Sequence, residues 1–205
     1  MYKLYSSPIS PYCLRVIALL EIAGLEYELI NLDFETAEYL SPEYLKINPN
    51  HQVPTFINDD LKIHESNAIL RYLCLKHGLG SLYPENVEDR ARLEQLLDWS
   101  QCRIAPVMHD IVMNTIFIIE ELKPDVLKNS QEVLIELYSI LSDNLGENNY
   151  LLGSEMTIAD IALVTSVNLL DLTGHPPKQK NLVNWRASMN QKKGIKGNLA
   201  KLDAA

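Results

Sequence analysis

Apolar and polar positions alternate over Tyr2-Lys3-Leu4-Tyr5, which predicts a short strand. Ser6-Ser7-Pro8-Ile9-Ser10 reads as a turn, and the period then changes. Val16, Ile17, Leu19, Leu20 and Ile22 recur at helical spacing, with Ser10 as candidate N-cap, Pro11 in the first turn and Gly24 as the stop. Tyr27 to Leu32 predicts a second strand, and Ser41-Pro42-Glu43 opens a short helix. His51-Gln52-Val53-Pro54 leads into the apolar run Thr55-Phe56-Ile57; Asn58-Asp59-Asp60 turns the chain and Leu61-Lys62-Ile63 returns. Glu65-Ser66 then opens an apolar-periodic helix closed by Gly78. The order is β-α-β-α-β-β-α, a parallel pair from the βαβ start with an antiparallel hairpin added.

Beyond this point strand patterning ends. GLGSLYPEN has no periodicity and reads as a linker, residues 79–88. Helical spacing follows from Asp89 to about Leu122, with an irregularity expected at Pro106, and again from Asp125 to Leu145, closed by Gly146. Thr157-Ile158-Ala159-Asp160 resembles a capping box before the apolar helix Ile161 to Leu172. Leu182 to Met189 and Ile195 to Leu202 complete the pattern. The reading is α/β plus all-α: an α/β domain over 1–78 and a helical domain over 89–205.

Composition narrows the partners. A net charge of −9 and a pI near 5.0 argue against nucleic acid and anionic membranes, which require a basic surface. No apolar run is long enough for a transmembrane helix, and MYKLYSSPIS lacks the apolar stretch of a secretory leader. Cys13, Cys74 and Cys102 are too few and scattered for a disulfide framework or a metal site. A cytoplasmic protein without a metal is the expectation.

Several residues carry candidate chemistry. Val53 before Pro54 is held extended, and a cis bond there would turn its backbone N–H and C=O outward, toward a ligand. Ser66 at a helix N-terminus would welcome a carboxylate, and Glu65 an ammonium. Together they suit a small peptide-like ligand with an amine and acids; the plain alternative is a hairpin followed by an ordinary N-capped helix. Ser10-Pro11-Tyr12-Cys13 resembles the Cys-Pro-Tyr-Cys site of glutaredoxins with serine for the attacking cysteine. Cys13 reads as a buried, apolar residue in the first helical turn.

In this order and spacing, Ser10, Arg15-Val16, Asn48-Pro49, Gln52-Val53-Pro54, Glu65-Ser66-x-Ala68-Ile69, Tyr72-Leu73, Leu82-Tyr83-Pro84 and Thr157-Ile158-Ala159-Asp160 resemble the cytosolic glutathione transferases of the serine-type classes (theta, delta, phi, tau, zeta). The resemblance covers residues 1 to about 200. It implies a thioredoxin-like first domain, a helical second domain contributing the electrophile site, glutathione as co-substrate with no cofactor, and a homodimer. Ser10 takes the catalytic serine position, where its hydroxyl would donate to the glutathione sulfur. Val53, with Pro54 cis, would pair with the cysteinyl part; Glu65 and Ser66 would hold the γ-glutamyl amine and carboxylate; His51 would reach the glycyl carboxylate, with Gln52 beside it. The second substrate is expected between the Ser10 loop and the stretch bearing Arg103, His109, Met113 and Phe117, side chains that serve equally well as core or solvated face. Phi members carry a basic pair where this chain has Tyr39 and Leu40, and delta members often carry arginine where it has Asn67. Asp160 is a structural cap in the family. The alternatives are a non-catalytic binding or scaffold protein of the same fold, and a glutathione-dependent peroxidase or isomerase.

Overall fold

A computed structural model describes residues 1–116 and 124–197. They form two compact units, Met1–Leu79 together with residues 192–197, and Gly80–Gln191.

The first unit is built on a four-stranded sheet in the order β2-β1-β3-β4, formed by β1 (Tyr2–Ser6), β2 (Tyr27–Asn31), β3 (Thr55–Asn58) and β4 (Leu61–His64). β2 lies parallel to β1; β3 is antiparallel to both β1 and β4. Helix α1 (Pro11–Ala23) links the parallel pair and ends at Gly24, whose φ of 66° is left-handed and free of Cβ penalty. Helix α2 (Pro42–Leu45) is capped by the Ser41 hydroxyl, and α3 (Ser66–His77) packs on α1. Successive strand residues face opposite sides. Leu4 and its partner Phe56 are fully buried on one face, where the Phe56 ring meets Tyr72 of α3 at 6.0 Å. Tyr5, on the other face, meets Tyr44 of α2 at 5.4 Å. The chain comes back to this unit after Gln191: Ile195 is fully buried, and a Cβ on Gly194 would stand 2.7 Å from the Ala18 carbonyl oxygen.

The second unit is helical: α4 (Val87–Trp99), α5 (Ala105–Thr115), α6 (Pro124–Leu145), α7 (Ile158–Leu172) and α8 (Lys180–Met189). The irregularity expected at Pro106 is a π-turn, Ser100–Ile104, immediately before it. Pro106 has no N–H to continue the i→i−4 ladder. Helix α7 is apolar on all sides and buried throughout from Ile158 to Leu170, as a central helix must be. Asp160 closes its capping box and also accepts from Leu151 N–H (2.9 Å) and the Trp185 indole N–H (3.0 Å), a structural cap as expected. Phe117, Leu122 and the end of the helix expected over Ile195 to Leu202 lie outside the described residues. Among the described residues no helix is long and apolar enough to cross a membrane, and no group of His, Cys, Asp or Glu is placed to hold a metal ion.

Candidate functional site

The strand register gathers the candidate residues at one end of the sheet. Tyr5 pairs with Thr55, Thr55 with His64, and Ser6 with Asn31. The turn after β1, the loop before β3, and the residues after β4 and after β2 therefore all leave the sheet at the same end. This is the carboxyl end of the parallel pair, where ligands of open α/β sheets bind. Ser10, His51, Gln52, Val53, Pro54, Glu65 and Ser66 all belong to these segments.

Ser10 is the N-cap of α1, its Oγ accepting a long bond from the Cys13 N–H at 3.4 Å. The cap uses a lone pair of the oxygen and leaves the hydroxyl hydrogen as a donor. Cys13 is fully buried, and that burial pushes its thiol up, against the pull of the Ser10 hydroxyl and the Ser7 backbone. It is the buried, inward-facing residue of the first helical turn that the sequence suggested.

The loop before β3 is fixed from beneath. The Gln52 carbonyl accepts from the Tyr44 hydroxyl at 2.6 Å and from Asn48 Nδ2 at 2.9 Å. The same two groups reach Thr55 Oγ1 at 2.9 and 3.0 Å. Asn48 Oδ1 accepts from the Asn50 N–H at 3.0 Å, and His51 donates its N–H to the Asn48 carbonyl at 3.0 Å in a left-handed conformation, φ 47°. Tyr44, Asn48 and Thr55 are all buried. The Val53-Pro54 bond is cis. Among the described residues, no hydrogen bond engages the Val53 N–H or C=O. The side chains of His51 and Gln52 are exposed.

At α3 the ordinary N-cap reading is corrected. Glu65, not Ser66, holds the cap position, at φ 69° and ψ 106°, and its side chain makes no capping bond. A left-handed backbone at a non-glycine residue costs about 1–3 kcal/mol and concentrates at functional sites. Ser66 is the first helical residue and is buried. The Glu65 side chain thus does not cap α3, and Glu65 is exposed at the N-terminus of that helix.

Arg15 entered the sequence analysis only as part of the Arg15-Val16 pair, with no role of its own. It is fully buried, donates from Nη1 to Asn67 Oδ1 at 3.0 Å and lies over the Tyr12 ring at 5.0 Å. Burial brings it down to about 10, so it stays charged at neutral pH. It ties α1 to the first turn of α3. The available signal was its place as the one charged residue in the apolar run Cys13 to Leu20.

The comparisons agree with this architecture. Residues 1–74 match the family model "Glutathione S-transferase, N-terminal domain" and residues 104–193 match "Glutathione S-transferase, C-terminal domain". "Probable glutathione S-transferase GSTF2" of Oryza sativa subsp. japonica is 30% identical over 84% of this chain and 82% of its own length. "Glutathione S-transferase F10" of Arabidopsis thaliana is 32% identical over 72% of this chain and 71% of its own. The crystal structure of poplar glutathione transferase F1 superposes with a TM-score of 0.90 at 27% identity, covering 100% of this chain and 99% of that one. Ure2p in complex with glutathione superposes at 0.89 with 25% identity, covering 96% and 97% of the two chains. With both family models matched in order along the sequence, the chain belongs to the glutathione S-transferase family.

Proposed function

We propose that the protein conjugates glutathione to an electrophilic small molecule, and that the Ser10 hydroxyl holds the glutathione sulfur as the thiolate. The observation that carries this reading is the state of Ser10: its oxygen caps α1, its hydrogen remains to donate, and it sits by a helix N-terminus. A free thiol of pKa ~8.5 is only a few per cent thiolate at pH 7. A hydrogen bond to a charged group is worth about 1.5–3 kcal/mol, so Ser10 lowers the bound thiol by about one to two pH units. The thiolate then attacks the electrophilic carbon; Ser10 donates a hydrogen bond and is not the nucleophile. Val53 pairs its backbone N–H and C=O with the cysteinyl unit. Glu65 takes the γ-glutamyl ammonium, and Ser66, at the N-terminus of α3, takes the γ-glutamyl carboxylate. His51 and Gln52 serve the glycyl end.

The test is an ultraviolet titration of the protein–glutathione complex against pH, following the thiolate band, with Ser10→Ala beside it. The expected result is a thiol that ionises well below free glutathione and returns toward it in Ser10→Ala. Binding without that depression would leave a glutathione-binding protein with no activated nucleophile.

A further inference from the structure

We propose that the helical unit holds a binding site for a small apolar acid, one or two rings carrying a single carboxylate, in the cavity between α6 and the loop that joins α7 to α8. The site lies wholly within the second unit and stands independently of the transferase reading.

The cavity follows from the way one residue is tied across a helix face. Gln131, Leu134, Ile135 and Tyr138 stand at i, i+3, i+4 and i+7 on α6 and form one stripe. His175 bridges the two ends of that stripe. Its Nε2 meets the Gln131 amide nitrogen at 2.8 Å, and its carbonyl accepts from the Tyr138 hydroxyl at 2.8 Å. The loop is also closed onto the end of α7. The His175 N–H donates to the Leu170 carbonyl at 2.9 Å and the Gly174 N–H to the Asp171 carbonyl at 2.8 Å, with Gly174 left-handed at φ 84°. Thr173 Oγ1 gives its hydrogen to the Leu170 carbonyl at 2.7 Å, so toward His175 Nδ1, at 3.1 Å, it accepts. The ring is thereby held as its Nδ1–H tautomer, with Nε2 accepting from Gln131. Leu134 and Ile135 are left between the two ties, under a loop fixed on both sides.

The chemistry of the cavity is that of an amphiphile's partner. Leu134, Ile135 and Pro176 supply an apolar wall, and Ile135 is 67% exposed, so a molecule seated there removes apolar surface from water. Lys178 is the single formal charge among the residues that line it, and among the described residues no carboxylate pairs with Lys178. Gln179 Oε1 accepts from the Lys178 N–H at 3.2 Å, which leaves the Gln179 amide nitrogen to donate. Glu132 and Glu136, the acids on this stretch of α6, do not line the cavity, and Asp171 is paired with Arg186. A cation and amide donors beside an apolar wall select an anionic head on an apolar body. The volume is about 230 Å³, below the ~300–1,000 Å³ of pockets that take drug-sized ligands, which limits the body to one or two rings. Rings also lose less freedom than a chain of equal volume on entering a fixed cavity.

The test titrates 2-naphthoate, and its neutral analogue 2-naphthamide, into the full chain by saturation-transfer NMR, with wild type, Ile135→Glu, Lys178→Ala and a Lys180→Ala control outside the cavity. 2-Naphthoate should bind wild type with a Kd of about 1 mM or tighter, and saturating glutathione should not displace it. Ile135→Glu sets a carboxylate in the apolar wall and should weaken the acid by about tenfold or more; the position is exposed, so its melting curve should match wild type. Lys178→Ala should weaken the acid by about threefold to fivefold and leave 2-naphthamide unchanged, as expected for an exposed ion pair. Lys180→Ala should change neither ligand. No binding of the acid at about 5 mM overturns the inference, as does an acid affinity unchanged in either Ile135→Glu or Lys178→Ala. Displacement by glutathione overturns it too, because the acid would then occupy the site of the first unit.

Discussion

Tyr44 and Asn48 both donate to the Gln52 carbonyl, and that sharing has a measurable consequence. Asn48→Ala removes one of these two donors and also the amide that donates to Thr55 Oγ1. Tyr44→Phe removes the other donor and, because the single phenolic hydrogen goes to the carbonyl, the oxygen that accepts from the Thr55 hydroxyl. A buried neutral hydrogen bond is worth about 1 kcal/mol net, so each single variant should lose about 2 kcal/mol while the carbonyl keeps a partner. In the double variant the carbonyl keeps only the long 3.5 Å contact of Thr55 Oγ1. Leaving a buried carbonyl unsatisfied adds about 1–3 kcal/mol, so the double loss should exceed the sum by about that amount. Urea denaturation of wild type, both singles and the double gives the coupling directly, with an unchanged m-value as the control. Glutathione affinity should fall in parallel, because the same carbonyl fixes the residue before Val53. Additivity within about 0.5 kcal/mol would refute the shared-acceptor account.

Three further outcomes are expected. Asp160→Ala strands the Leu151, Thr157 and Trp185 donors in the core and should cost about 3–5 kcal/mol by chemical denaturation; a loss under about 1 kcal/mol would show that they find other partners. Gly194→Ala drives a Cβ to 2.7 Å from the Ala18 carbonyl at φ 81°, so it should destabilise the protein by about 1–3 kcal/mol, and an unchanged melting curve would contradict the close approach. Burial lifts the Cys74 thiol to about 12 and pushes Cys13 up as well. The unfolded Cys74 thiol ionises first, near pH 8.5, so its share of the stability is full below that and falls as pH rises toward 12, by about 1.4 kcal/mol per pH unit, with Cys13 acting in the same direction. Cys74→Ala should remove one thiol's share of that slope, and equal slopes in the two proteins would refute it.

The order of strands and helices along the chain was legible because each carries its own period, and because Gly24, Gly78 and Gly146 mark helix ends in the left-handed conformation glycine allows, whereas the antiparallel seating of β3 beside β1, which sets the sheet order, has no local signal. Pro106 announced the π-turn for the same local reason. In the candidate site, the Ser10 cap of α1 and the cis bond at Val53-Pro54 were legible, because that backbone and capping chemistry is local. Three features were not. The left-handed Glu65 follows from the pairing of β4 with β3, since nothing in a glutamate favours positive φ. The Arg15–Asn67 bond joins residues 52 apart, and the Tyr44–Asn48–Thr55 cluster is closed by an aperiodic loop. Side chains that meet only after folding leave no periodic trace in the sequence.

Residues 192–197 belong to the unit that begins the chain. During synthesis the sheet, α1 and α3 emerge early, but the segment that covers Ala18 and Glu21 of α1 emerges only after the whole helical unit has been made. The helical unit, continuous in sequence, can close as soon as its last helix is out, whereas the nascent first unit waits with part of α1 uncovered. A gene cut at the linker would therefore deliver an unfinished first unit, and a circular permutant that brings this segment ahead of Met1 is the form in which that unit could be made by itself.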